Sequence, residues 1–196
     1  GTLKRIDASY VGGGNLVKLT QAYSTTDTGS LNVDSIFTSA YTAYRLVLVA
    51  KPVNSDVHLT FRWRDGGSDL SVGQYYASAR GGYVNGSGAG AQSFSDWAQS
   101  TTKLADSVNN NNYNGFNIDA LLRPYNNTGV GNYSSVDNTS TIIWHCNYWA
   151  DASPERQEQV SGGSTYTQTS VPDGFTISFS SGDIDSYSYS VFGYKG

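Results

Sequence analysis

The chain has 196 residues, of which 14% are charged, and its formal net charge is −4. Two Glu, no Met and few Leu exclude a helical bundle, a coiled coil and a Rossmann-type α/β enzyme, because helical proteins depend on such residues. The scattered Lys and Arg of an acidic chain do not form the basic face that nucleic acid requires. No apolar run reaches the length of a membrane-spanning helix, so we expect neither nucleic-acid binding nor membrane insertion.

The first part of the chain differs from the rest. Residues 1–35 hold weak apolar runs between three glycines at 12–14 and a polar stretch at 24–29. This pattern predicts an N-terminal arm or edge strands, followed by one β-sandwich domain over residues 36–196. The absence of Met favours a segment of a longer protein, a processed product or a trimmed chain, and the sequence does not separate these.

Two strands are predicted next, over residues 44–49 and 57–64. The first is apolar on both faces, which is typical of a central strand, and the second alternates between apolar and polar residues. The alternation places Val57, Leu59, Phe61 and Trp63 on the core face. Residues 51–56 favour a turn, so we expect the two strands to pair as a hairpin.

The middle of the chain predicts further strands and one helix. A turn at 64–69 leads into a Tyr-rich run at 72–80, and strands are expected near 116–122 and 141–149. A short helix is predicted around 95–105, with Asp96 near its start. In the strand near 141–149, one face carries Ile142, Trp144, Cys146 and Tyr148. We interpret Cys146 as a small buried apolar residue rather than a reactive thiol.

The chain ends in two alternating strands, which predict a C-terminal β-hairpin. Phe175, Ile177 and Phe179 should point inward from the first strand, and Tyr187, Tyr189 and Val191 from the second. Seven to nine strands separated by Gly-, Asn- and Ser-rich turns predict an all-β fold. It should be an antiparallel β-sandwich of jelly-roll type with long Gly/Asn-rich loops.

Two long polar stretches, residues 81–115 and 126–138, are predicted to be loops. Aromatic rings among Asn, Asp and Ser make good surfaces for sugars or proteins, although the same rings can pack beneath the loops or against a neighbouring subunit. If the protein binds a ligand, contacts are expected from these loops. The candidate ligand-binding residues are Tyr83, Trp97, Tyr113 and Tyr133, with Asp96 and Asn112 as polar partners.

Catalytic and metal sites are not predicted. Glu155 and Glu158 lie three residues apart in one apparent loop, an unsuitable arrangement for the opposed carboxylates of a glycosidase. His58 and His145 lack a nucleophile elbow, and two His with one Cys do not supply a structural zinc site. Asp-rich turns at 65–69 and 183–185 are explained by turn chemistry, although bound calcium is left open. We therefore expect no catalytic residues, no metal and no cofactor.

The C-terminal sequence resembles the ending of a group of marine bacteriophage virion structural proteins, of cyanophage or pelagiphage type. The resemblance rests on DGFTISFSSGDI at 173–184 and SVFGYKG at 190–196. It also rests on YTAYRLVL at 41–48, with LTFR and QYY after it, and covers roughly residues 35–80 and 140–196. The resemblance implies an antiparallel β-domain on the exterior of a phage particle and implies no active-site residue.

Three functions follow from the resemblance and the composition. The first is a tail-fibre tip or receptor-binding domain for host attachment, which binds a bacterial surface glycan or protein. The alternative is a capsid decoration or head structural protein, and the third is a glycan-depolymerising enzyme domain, which the shortage of Glu and His disfavours. The expected partners are other virion proteins and copies of the chain itself, as a homotrimer.

Overall fold

The computed structural model describes residues 16–110, 116–125, 139–150, 155–167 and 170–195. Of these residues, 72% lie in strands and none lies in a helix. None of them therefore belongs to a helix that could span a membrane. The strands are β1 (Leu16–Ser24), β2 (Leu31–Val33), β3 (Ala43–Pro52), β4 (Val57–Asp65), β5 (Ser68–Asp69), β6 (Tyr75–Asn85), β7 (Gly88–Gln99), β8 (Thr102–Val108), β9 (Phe116–Arg123), β10 (Thr139–Ala150), β11 (Arg156–Thr167), β12 (Gly174–Phe179) and β13 (Ile184–Tyr194).

The strands form an antiparallel sheet that curls into a half-barrel, which confirms the all-β, sandwich-like prediction. Eight strands make one layer in the order β1-β13-β3-β9-β10-β11-β6-β7, which we call the eight-strand layer. The four-strand layer has the order β8-β4-β12-β2, with β5 beside β4. The layers join where Ala150 of β10 pairs with Val108 of β8.

The core lies between the layers and follows the predicted alternation. Val57, Leu59, Phe61 and Trp63 of β4 are all buried, as are the inward residues of β10. The Trp144 indole donates a hydrogen bond from Nε1 to the carbonyl oxygen of Leu104, at 3.0 Å, and so links the layers. Burial raises the pKa of the Cys146 thiol to about 12, which agrees with its interpretation as an apolar core residue.

Neither predicted hairpin between long strands forms. Strand β3 pairs with β13 and β9, whereas β4 pairs with β12 and β8, so the turn between them crosses from one layer to the other. The turn between β12 and β13 makes the same crossing, and the Val53 amide donates to the Asp183 carbonyl at 2.9 Å to hold the two turns together. Turn residues predict where the chain reverses, but they do not specify whether the next strand stays in the same layer.

The C-terminal strands are otherwise close to expectation. Phe175, Ile177, Phe179 and Val191 are buried. Tyr187 and Tyr189 are only half-buried and pack against the edge of the core. The predicted turn after β4 is present, where Gly66 and Gly67 take the left-handed φ values of 55° and 80° that a tight two-residue hairpin turn requires.

The predicted helix at 95–105 is wrong, and so is the assignment of 81–115 to one loop. Residues 81–108 lie mainly in the paired strands β6 and β7 and in β8. The β6–β7 hairpin extends along the edge of the eight-strand layer, where most of its side chains are half-exposed or exposed. Most residues of this hairpin are therefore small or polar, and their composition resembles that of a loop.

The start of the chain contributes edge strands. Strand β1 pairs with β13 at one end of the eight-strand layer, and β2 pairs with β12 at one end of the four-strand layer. Both lie within the segment 1–35 that the sequence separates from the rest. Residues 1–15 lie outside the described part.

Two adjacent glycines in β11 give a sharp test of the inward and outward faces. A methyl group at Gly162 would lie 2.7 Å from Trp144 Cη2 and 2.8 Å from Ala79 Cβ, whereas one at Gly163 would meet only the Ile142 oxygen, at 3.9 Å. Gly162→Ala should therefore lower the free energy of unfolding by about 1–3 kcal/mol through overpacking. Gly163→Ala should leave it unchanged or raise it by up to about 1 kcal/mol. Urea unfolding measures both, and equal effects would contradict the assigned faces.

Candidate functional site

An open groove of about 680 Å³ lies on the outer face of the eight-strand layer. It crosses five strands, β9, β10, β11, β6 and β7, so the sheet surface itself forms its floor. Its volume is in the range of small-molecule binding sites. The lining residues are Tyr76, Ala77, Ser78, Ser95, Asp96, Trp97, Arg123, Thr141, Ile142, Ile143, Gly163, Ser164 and Thr165.

Cross-strand register places the groove residues in a row. Arg123 of β9 is opposite Thr141 of β10, which is opposite Thr165 of β11. Thr165 is in turn opposite Tyr76 of β6, whose ring touches Trp97 of β7. The row therefore runs from a guanidinium, across two hydroxyls, to a pair of aromatic rings.

The aromatic end depends on a β-bulge in the β6–β7 pair. The register shifts between Tyr75 and Ala77, and Ala98 takes a φ of 50°, which few non-glycine residues adopt. The bulge brings Trp97 onto the outer face beside Tyr76, with ring centroids 5.1 Å apart and planes at 83°. The Trp97 residue is 80% exposed, so most of this large apolar ring faces solvent.

The floor of the groove is flat and partly apolar. Ile143 is 50% exposed, and its register partner Gly163 adds no side chain. The hydroxyl-bearing Ser78 and Ser95 are register partners on the next two strands. The groove thus offers apolar surface with hydroxyl groups on either side, a combination suited to a ligand that is part apolar and part polar.

Two charged residues line the groove, Asp96 near the aromatic end and Arg123 at the opposite end. Neither takes part in an ion pair within the part of the chain that the structure describes. Arg123 is exposed and open to a ligand, whereas Asp96 is half-buried and is the register partner of the inward-facing Ala77.

The predicted ligand-binding residues divide into three groups. Trp97 and Asp96 line the groove, although from a strand rather than from a loop. Tyr83 does not join them, because it points to the inner face of β6, where its ring lies 4.4 Å from the Arg156 guanidinium carbon. Asn112, Tyr113 and Tyr133 lie outside the described residues.

Sequence reasoning missed Tyr76, Arg123, Ile143 and Gly163. Each is an outward residue of a strand, and their proximity depends on register between strands that are distant in sequence. The one available signal was an Ile at an outward position of an alternating strand, which is where a polar residue is expected.

A second, polar cleft of about 500 Å³ lies on the outer face of the four-strand layer. Its centre is Arg64, which donates to Asp34 and Asp69 at 2.6 Å each and to Thr176 at 3.0 Å. Asp69 also accepts a hydrogen bond from the Thr176 hydroxyl, at 2.5 Å. Because these partners occupy the Arg64 guanidinium, we interpret this cluster as a structural link between β2, β4, β5 and β12.

The two Glu residues are not an opposed catalytic pair. Glu158 is fully buried on the inner face, where Tyr148 donates to Oε2 and Arg156 donates to Oε1, each at 2.5 Å. Burial and the neighbouring Glu158 carboxylate both raise the pKa of the Tyr148 hydroxyl, which keeps it a donor. Glu155 instead accepts a hydrogen bond from Asn109, at 3.0 Å.

His145 does have a serine and an aspartate beside it, in an arrangement the sequence did not reveal. Its Nδ1 lies 2.6 Å from Ser161 Oγ, and Asp119 is its register partner on β9. However, the Asp119 carboxylate accepts hydrogen bonds from Arg45 Nε at 2.8 Å and Nη2 at 2.5 Å, and these lower its pKa. No hydrogen bond joins Asp119 to His145 among the described residues, so the three do not form a relay.

The remaining polar side chains in the described part of the chain do not form a metal centre. No group of three or more His, Cys, Asp or Glu in the described ranges is arranged to hold an ion. His58 pairs with Asp106, Nδ1 to Oδ1 at 2.5 Å. Asp185, in one of the Asp-rich turns, pairs with Lys51 at 3.1 Å.

Comparison with known proteins gives no family. No protein-family model matches the chain, and neither the curated proteins nor the solved structures contain a match.

The buried Glu158 network predicts a large effect from one hydroxyl. Tyr148→Phe leaves a carboxylate oxygen without its donor in the core, so the free energy of unfolding should fall by about 1–3 kcal/mol. Tyr23→Phe is the matched control, because Tyr23 is 82% exposed, and it should be neutral. Denaturant titration at neutral pH compares the two variants, and an unchanged Tyr148→Phe would show that the network contributes nothing to stability.

Proposed function

We propose that the protein is a non-enzymatic adhesion domain that holds a bacterial surface glycan in the groove of its eight-strand layer. The observation that carries this proposal is the exposed Trp97 ring, edge-on to Tyr76, at one end of a groove lined by hydroxyl groups. An aromatic face covers the apolar C–H face of a sugar, while neighbouring hydroxyls exchange hydrogen bonds with the sugar's own.

The placement of the rings favours ligand binding over packing. A packing role would bury Trp97 against the fold, as it does Trp63 and Trp144, yet Trp97 keeps 80% of its surface in solvent. The bulge and the left-handed Ala98 hold the ring on the outer face at some conformational cost. Strain retained beside an exposed aromatic ring is a feature of functional sites.

The carboxylates and the backbone of the eight-strand layer favour binding without catalysis. Asp119 is held by Arg45, Glu158 is buried, and β10 and β11 are each hydrogen-bonded on both sides. Backbone N–H groups used in a sheet ladder are not available to stabilise a developing oxyanion. A glycan-depolymerising role therefore stays the weakest of the three hypotheses.

The location that we propose is the exterior of a phage particle, in a tail fibre or receptor-binding tip. This part of the proposal rests on the sequence resemblance at 35–80 and 140–196. Capsid decoration is the second candidate, and β1 and β7 favour it. Each lies at an end of the eight-strand layer with one strand partner in the described part, so each offers an edge to a neighbouring virion protein.

Substitution of Trp97 tests the adhesion proposal. Trp97→Ala should weaken the free energy of binding to immobilised bacterial surface polysaccharides by about 1–3 kcal/mol. It should also reduce adsorption to host cells. The melting temperature should stay within error because the ring is mostly solvated. Tyr23→Ala is the matched control, since Tyr23 is an equally exposed ring on β1, away from the groove.

Two outcomes would contradict the adhesion proposal. In the first, Trp97→Ala stays folded and binds polysaccharides and cells as well as the Tyr23→Ala control does. In the second, particles that lack the protein still adsorb normally, and antibody labels the capsid surface, which would make decoration the function.

Self-association is a separate expectation. A homotrimer should give a light-scattering mass near three times 21.1 kDa at micromolar concentration. The edge strands β1 and β7 provide surfaces through which copies can pair. A mass near 21.1 kDa would contradict the trimer for the isolated chain.

A further inference from the structure

We infer that the groove selects an extended oligosaccharide with an anionic sugar unit at the Arg123 end. This inference rests on the proposed function and adds to it the class of ligand. Its basis is the distance between the two ends of the groove and the different chemistry that each end presents.

The length of the ligand follows from register. Arg123 and Trp97 lie on β9 and β7, with β10, β11 and β6 between them, so four strand spacings separate the two. At about 4.8 Å for each spacing, the ends of the groove are about 19 Å apart. One sugar ring does not reach across that distance. A ligand that stacks on Trp97 and also meets Arg123 is therefore several sugar units long.

The ligand's charge follows from the Arg123 end of the groove. Arg123 is exposed and makes no ion pair among the described residues, in a chain whose net charge is −4. A guanidinium fork binds carboxylate, phosphate and sulfate oxygens through paired N–H groups. The aromatic end presents Tyr76 and the exposed Trp97 ring, which are uncharged, so the anionic unit is directed to the Arg123 end.

Among the residues that the structure describes, neighbouring charges do not cancel the charge of Arg123. The nearest carboxylate on β9, Asp119, is already bound by Arg45 through both oxygens. Thr141 and Thr165, which follow Arg123 in the row, are uncharged donors and acceptors for sugar hydroxyls. The groove is therefore cationic at one end, hydroxyl-lined in the middle and aromatic at the other end.

The test is an array of bacterial surface oligosaccharides, graded in length, with neutral and anionic members. Each anionic member is paired with its carboxyl-reduced, desulfated or dephosphorylated form, which also identifies the oxyanion. The wild-type chain should prefer anionic members of several units over their neutralised forms. Arg123→Ala should bind the anionic members about tenfold more weakly and the neutralised forms unchanged, whereas Arg123→Lys should recover part of the difference.

Arg80→Ala is the matched control. Arg80 is an exposed arginine on the outer face of β6, opposite Ser161 and outside the groove lining. It removes the same net charge without touching the site, so binding to all members should stay unchanged. Raising the salt concentration should weaken anionic binding in the wild type and in Arg80→Ala, but much less in Arg123→Ala.

The outcomes separate this inference from the proposed function. If neutral members bind as well as anionic ones, if single sugars suffice, or if Arg123→Ala matches Arg80→Ala, the inference is wrong while glycan adhesion stands. If no member binds, or Trp97→Ala has no effect on those that do, adhesion through this groove is wrong, and the inference fails with it.

Discussion

The structure depends on a single constraint, the alternation of inward and outward side chains along β10 and β11. Inward residues of β10 build the core, where Trp144 donates to the opposite layer through the Leu104 carbonyl. The alternate residues of both strands face outward. Two of these, Ile143 of β10 and Gly163 of β11, form the floor of the groove. Core and groove therefore share the same strands, and a one-residue slip in register would expose Trp144 and destroy the site.

The sequence predicted the faces of strands well and their partners poorly. Alternation identified the buried side of β4, β10 and β12 because burial is a local property of each strand. Pairing is not local: β3 joins β9 and β13, and the turns on which hairpins were predicted cross between the layers. Trp97 and Asp96 were found from composition. Arg123 and Tyr76 were missed because two strands from later in the chain, β10 and β11, bring them into one row.

Binding was expected from loops, yet the groove belongs to the face of a sheet. Loops vary and move, whereas a strand paired on both sides holds its side chains at fixed spacings. Strands β10, β11 and β6 are each paired on both sides, so Thr141, Thr165 and Tyr76 are held in place before any ligand arrives. This rigidity reduces the ordering cost of binding, which suits a long and flexible ligand that must itself lose freedom.

The features on which the proposed binding surface rests differ from those that hydrolysis needs. Hydrolysis needs a positioned base and donors aimed at the oxygen where charge develops. Here the sheet ladder occupies backbone donors, and Arg45 neutralises the carboxylate nearest to His145. Ligand recognition needs only fixed contacts of the right chemistry, and we propose that the row from Arg123 to Trp97 provides them. The backbone groups of these strands are paired with one another, so this face presents its side chains to a ligand, and we propose that they serve adhesion.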